Sequence, residues 1–199
     1  MILRSSPSSP FGRKVKMSAM VLGLMDIIEI TRTNTQDPAD PITGENPLGK
    51  IPALILDDGS VMYDSRVICE YLDSLAGGGK LFPEGDEGWK ARTLQALCDG
   101  ILDAAILQVY EKRFRPEEKR HPEWVVRQQG KVDRALKWLE VNTPKPGTTN
   151  IGDITLACAL SYLDFRFDGA WREDHPNLVA WLDGFAKAVP AYAETEPQD

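Results

Sequence analysis

The sequence is poor in the residues on which metal and redox chemistry depend. Its 199 residues include two histidines and three cysteines. His121 and His175 both precede proline, and neither has a partner at ligand spacing, so no metal site is expected. Cys69, Cys98 and Cys158 are odd in number and form no CxxC pair. Each sits in an apolar helical pattern, as in "VICEYL" and "LACALSYL", which reads as buried structural thiols rather than reactive ones. Positive charge is also in deficit: 23 Lys and Arg stand against 30 Asp and Glu, a formal balance of −7. That argues against nucleic acid and against an anionic membrane surface as partners. No apolar run approaches ~18 residues, so no span of a bilayer is expected. The start, "MILRSSPSSP", lacks the long apolar core of a signal peptide, and the expected compartment is the cytoplasm.

What is present is the composition of an ordinary globular protein, long enough for one large domain or two small ones. "MILRS" reads as a short strand. From Pro10 to Gly23 apolar residues recur at Phe11, Val15, Met17, Val21 and Leu22, a helix stopped by Gly23. "IIEITR" is a second strand, and residues 36–48 form a proline-rich loop with room for one helical turn. "IPALILDDGSVMYDS" is a hairpin turning at Asp-Asp-Gly. A helix follows over 65–76, with Val67, Ile68, Tyr71, Leu72 and Leu75 assigned to its apolar face. Residues 77–88, "GGGKLFPEGDEG", mark a change of composition and read as a linker. Beyond it only helices are expected: 89–114, 123–141 (with Trp124, Val132, Leu136 and Leu139 inward), 151–167 and 177–189, with a break at "PKPGTT". The expected domains are therefore 1–76, α/β, and 89–199, all-helical.

Three segments carry candidate chemistry, each with a plain structural reading beside it. In "SSPF", Ser9 before Pro10 fits a helix N-cap with proline at the first helical position. The same place presents free amides and a partial positive charge, which favour an anion or a thiolate. No histidine stands in a triad-like context, so a nucleophilic serine is not expected. In "NPLGKIPAL", Pro52 opens a strand; a cis bond before it would expose the Ile51 backbone to a ligand, and Lys50 is either solvated or a carboxylate holder. In "YDSRVI", Asp64 and Ser65 open a helix, as caps or as a subsite for a ligand with both an amine and a carboxylate. A fourth segment, "NIGDITLACAL", reads as structural: Asn150 and Asp153 form a capping-box variant.

In this order and spacing the segments resemble the cytosolic glutathione transferases over nearly the whole chain. "SPFGRKV" looks like the serine-type active-site turn, "NPLGKIP" like the cis-proline loop, "YDSRVI" like the glutamyl-binding pair, and "NIGDITLA" like the N-capping box of the helical domain, where Asn150 replaces the usual Ser or Thr. The likeness extends to bacterial members of unassigned function that share "TSPFVRK", and "SPF" is shared with the plant tau class. The resemblance implies a thioredoxin-like domain followed by a helical bundle, and a homodimer with helix 65–76 near the interface. It implies glutathione as co-substrate and no metal. Ser9 would donate to the glutathione sulfur, with Ser8 as the alternative found in theta- and delta-like members. Phe11 would line the site, Lys50 approach the glycyl carboxylate, Ile51 pair with the cysteinyl backbone, Pro52 be cis, and Asp64 and Ser65 take the γ-glutamyl amine and carboxylate. Leu107, Tyr110 and Phe114 are placed at the electrophile pocket by position and apolar character. The absence of cysteine from the first turn points away from thiol transfer and leaves conjugation, substitution or peroxide reduction. A non-catalytic ligand-binding member, or a glutathione-dependent isomerase or dehalogenase, are the alternatives.

Overall fold

The computed structural model describes residues 1–145, 147 and 149–199. The expected "PKPGTT" break includes Pro146 and Thr148, which lie outside the described residues. The first part of the chain builds a four-stranded sheet from β1 (Ile2–Ser5), β2 (Glu29–Arg32), β3 (Ala53–Ile55) and β4 (Val61–Met62) in the order β2-β1-β3-β4. β1 pairs parallel with β2 (Ile2 opposite Glu29) and antiparallel with β3 (Ile2 opposite Ile55), and β3 pairs antiparallel with β4. The parallel pair needs a crossover, which α1 (Pro10–Leu22) provides. That helix ends as its sequence dictates: Gly23 takes a left-handed conformation (φ 73°) and its N–H returns to the Ala19 and Met20 carbonyls. The short α2 (Ile42–Glu45) lies in the proline-rich loop, and α3 (Ser65–Leu75) follows the hairpin.

The helical part comprises α4 (Gly85–Phe114), α5 (Pro122–Val141), α6 (Ile151–Phe167), α7 (Pro176–Ala188) and α8 (Ala191–Glu194). The fold is thus a mixed β/α, thioredoxin-like unit followed by an all-helical bundle. α4 begins at Gly85 rather than Trp89, so the last four residues of the 77–88 segment are helical; Asp86 and Glu87 in its first turn suit the positive end of the helix dipole. The remaining connection is tied down by one carboxylate. Buried Asp73 accepts from the Leu81 N–H (2.7 Å) and the Gly79 N–H (2.9 Å).

α6 is buried along its first thirteen residues and forms the axis of the bundle. Its N-terminus carries the expected capping box: Asn150 Oδ1 accepts from the Gly152 (2.8 Å) and Asp153 (3.2 Å) amides, and Asp153 Oδ2 accepts from the Asn150 amide (3.1 Å). α6 packs closely on α4 because residue 152 is glycine; a Cβ there would meet the Ala91 carbonyl at 2.9 Å. Two of the apolar faces differ from expectation. Val67 and Leu75 of α3 and Trp124 of α5 are exposed, because the buried stripes run through Ile68 and Leu72, and through Val132, Leu136 and Leu139. The thiols of Cys69, Cys98 and Cys158 are buried and unpaired. Among the described residues no helix is long and apolar enough to cross a membrane.

Candidate functional site

A cavity of about 490 Å³ opens between the two parts of the chain. Its floor is the turn between β1 and α1. Ser9 is the N-cap of α1: its Oγ accepts from the Gly12 N–H at 3.1 Å, with Pro10 at the first helical position. That bond uses an oxygen lone pair and leaves the hydroxyl proton free to donate outward. A Cβ at residue 12 would overlap Ser5 Oγ, so glycine there lets the start of α1 sit against the end of β1. Ser8, Ser9 and Phe11 all line the cavity.

One wall is the loop before β3. Buried Asn46 organises it, donating to the Lys50 carbonyl (2.8 Å) and accepting from the Leu48 N–H (3.0 Å), while Gly49 turns the chain at φ 59°. Lys50 and Ile51 line the cavity, and the Ile51–Pro52 peptide is cis, with Pro52 buried behind it. Asp64 and Ser65 lie beyond this wall at the start of α3 and do not line the cavity themselves. Asp64 caps α3 by accepting from the Arg66 N–H (2.9 Å), which occupies Oδ1 and leaves Oδ2 to accept. Ser65 is buried in the first turn.

The opposite wall comes from α4 and α6. Leu107 and Tyr110 line it as expected. Phe114 does not; it lies one turn past Tyr110 and packs edge-on against that ring (centroids 5.0 Å apart). The wall also holds residues that sequence reasoning missed: Asp103, Arg113, Tyr162 and Arg166. Burial and the nearby Asp99 carboxylate raise the Asp103 carboxyl above its ordinary range, while Arg66 and Lys50 pull it back. Burial raises the Tyr162 phenol, against the pull of Arg166 and Arg113. No signal local to these residues could have found them, because their approach to Ser9 depends on how the bundle sits on the sheet.

An ionic cluster with a buried carboxylate at its centre joins α1, α3 and α4, also unforeseen, and Arg66 at its edge is exposed. Asp99 of α4 receives Lys14 Nζ of α1 at 2.7 Å and Arg66 Nε of α3 at 2.8 Å. Lys14 and Asp99 are both fully buried. A second cavity, of about 370 Å³, lies at the far end of α1 against Val189–Ala191, away from the helix N-terminus and its free amides. No cluster of metal-ligating side chains occurs among the described residues.

Residues 8–75 match the model of the glutathione S-transferase N-terminal domain, and residues 122–184 that of the C-terminal domain. The chain is 32% identical to the GST-like protein YibF of Escherichia coli K12, over 99% of this chain and 98% of YibF. A glutathione transferase family member from Pseudomonas fluorescens Pf-5, solved with bound glutathione, is 40% identical with a TM-score of 0.90, covering 100% of this chain and 99% of that one. The same relative has been solved with bound S-(propanoic acid)-glutathione. A glutathione S-transferase from Methylobacillus flagellatus KT, solved with glutathione, is 34% identical with a TM-score of 0.91 over 99% of each chain. A serine-capped helix facing a cis-proline loop, in a chain that matches YibF nearly end to end, has one family meaning: this protein belongs to the glutathione S-transferases.

Proposed function

We propose that this protein binds glutathione in the cavity at the start of α1 and activates its thiol for attack on a small electrophile. The observation that carries this reading is Ser9. It sits at a helix N-terminus, on the cavity surface, with its hydroxyl proton uncommitted. The helix dipole and that hydrogen bond both favour a thiolate over a thiol, whose free pKa is about 8.5. Serine here stabilises the anion and does not act as a base. Lys50 would approach the glycyl carboxylate, and the Ile51 backbone would pair with the cysteinyl backbone. The open Oδ2 of Asp64 and the first-turn amides of α3 beside Ser65 suit the γ-glutamyl amine and carboxylate. The bound glutathione of relatives 34–40% identical supports this assignment.

Within this reading, residues 1–76 form the glutathione-binding domain, 77–88 the connection and 89–199 the helical domain. The active species is a cytoplasmic homodimer, with exposed Val67 and Leu75 of α3 available to an interface. Ultraviolet titration of the bound thiolate tests the central claim. Ser9→Ala raises the pKa of bound glutathione and lowers turnover of an aryl halide by about 10- to 150-fold, the worth of a hydrogen bond to a charged group. Ser8→Ala does much less. A larger loss in Ser8→Ala moves the thiol contact to Ser8, and no loss in either variant refutes thiol activation by this turn. On immobilised glutathione, the double variant Asp64→Ala/Ser65→Ala is not retained; retention equal to wild type displaces the glutamyl subsite.

A further inference from the structure

We propose that the helical wall of this cavity is an anion subsite, and that the electrophile this protein takes carries a carboxylate. The proposal rests on the glutathione reading above and adds the substrate class. The chain as a whole is acidic, at −7, yet three cations line the cavity, Lys50, Arg113 and Arg166, against one carboxylate, Asp103. Lys50 stands on the loop wall, on the glutathione side. Arg113 and Arg166 lie near the C-terminal ends of α4 and α6 and line the helical wall, and the charges of both act on the Tyr162 phenol.

Neither arginine is locked in a buried ion pair. Arg113 has no acidic partner among the described residues, since neighbouring Glu111 pairs with Arg115. Arg166 stacks on the Phe165 ring at 3.9 Å, and its Nε is buried without any acceptor. A buried guanidinium N–H without an acceptor is costly, which favours a shift of the side chain that brings Nε to a ligand oxygen. Arg166 itself already holds a carboxylate, one that lines the adjoining pocket rather than this cavity. Asp199 places Oδ1 2.7 Å from Arg166 Nη1, and that aspartate is 79% exposed, so the pair is weak and displaceable. A ligand carboxylate in the cavity would compete with Asp199 for this guanidinium. The apolar side chains of Ile106, Leu107 and Tyr110 line the rest of the wall, enough for a short carbon chain.

In such a reaction the glutathione sulfur attacks a carbon bearing a halide. The C–S bond forms as the carbon–halogen bond breaks, the halide leaves with the bonding pair, and the thiol proton passes to solvent. The carboxylate takes no part in bond making; it is held, and it aligns the carbon. The test compares 3-bromopropanoate with its uncharged analogue 3-bromopropanamide, each kcat/KM divided by its uncatalysed rate with glutathione. The wild-type protein favours the carboxylate by about tenfold or more, and Arg113→Gln and Arg166→Gln each remove most of that preference, while Arg113→Lys restores part of it. A normalised ratio near one in the wild type, or an unchanged ratio in both glutamine variants, overturns the subsite. Arg113 is exposed, so Arg113→Gln decides the matter even if Arg166→Gln fails to fold. Calorimetry of glutathione on the same samples separates the two levels. Normal glutathione binding with amide turnover and a flat ratio removes the subsite alone, whereas absence of both binding and turnover removes the glutathione reading with it.

Discussion

Ser9 shows how one side chain serves two ends. As an N-cap it spends a lone pair on the Gly12 amide, and as a donor it has its proton left. On the proposed function Ser9→Ala is therefore expected to cost stability as well as activity, and the two are separated by measuring turnover well below the melting temperature. Asp153 is a purely structural counterpart. Burial raises its carboxyl from 3.8 to about 6, against the opposing hydrogen bond from the Asn150 amide. The folded protein thus holds this proton more tightly than the unfolded chain does. Its contribution to stability is present below about pH 3.8 and is lost as pH rises through about 6. Asn keeps an acceptor but cannot ionise. Urea unfolding of wild type and Asp153→Asn, followed from pH 4 to 7, is expected to diverge with rising pH, the variant gaining. Parallel curves across that window refute the assignment. Asp153→Ala, which also loses the acceptor, costs about 0.5–2 kcal/mol by loss of a cap.

The helix α1 carries more than its apolar periodicity suggests. Its Lys14 is a fully buried cation, a placement that pattern reading treats as a solvated position. The cluster Lys14–Asp99–Arg66 joins α1, α4 and α3 at one point, with Lys14 Nζ 5.8 Å from the Phe11 ring that lines the cavity. Removing one member of a buried pair strands the other. Asp99→Ala is expected to lower the unfolding free energy by about 3–5 kcal/mol, and Lys14→Met/Asp99→Leu to recover most of the loss, since apolar replacements avoid the desolvation cost. Denaturant melts of the three proteins check this; equal stability of Asp99→Ala and wild type contradicts it. Most element ends, by contrast, were legible. Ser9-Pro10 at one end of α1 and Gly23 at the other, and the Asn150–Asp153 box before α6, are local chemistry read from a few adjacent residues. The inward faces of α3 and α5 were legible only in part, because Val67, Leu75 and Trp124 fit a helical repeat yet fall to the side of the stripe that packs.

For the molecule as a whole, the two parts are held in register by a second buried cation of α1. Arg13 donates to Ser161 Oγ of α6, to Thr195 Oγ1 (3.2 Å) and to the Tyr192 carbonyl (2.7 Å), and its guanidinium lies 4.5 Å over the Tyr192 ring. One side chain from the thioredoxin-like part thus fastens both the axis of the bundle and the final segment. Arg13→Met removes these donors and leaves the Tyr192 carbonyl only the longer bond from the Thr195 hydroxyl (3.5 Å). Limited chymotrypsin digestion is expected to cut at Tyr192 about tenfold faster in the variant, as the segment opens more often. Unchanged cleavage shows that other packing holds it.

The sequence by itself determined most of the elements, the caps at Ser9, Gly23, Asp64 and Asn150, and the order of the segments proposed for glutathione, since each depends on neighbours within a few residues along the chain, whereas the short α8 after 177–189 was not legible. It also carried the family, because Ser9, the Lys50–Pro52 loop and the Asp64–Ser65 pair stand in one half of the chain at revealing spacing. Only the tertiary structure decided what faces them. Arg113 and Arg166 lie more than a hundred residues beyond Ser9, on different helices, and they meet its cavity because α4 and α6 cross tightly at Gly152 while Arg13 and Lys14 pin α1 to both. Such convergence is a property of packing between distant elements, and no periodicity along the chain encodes it.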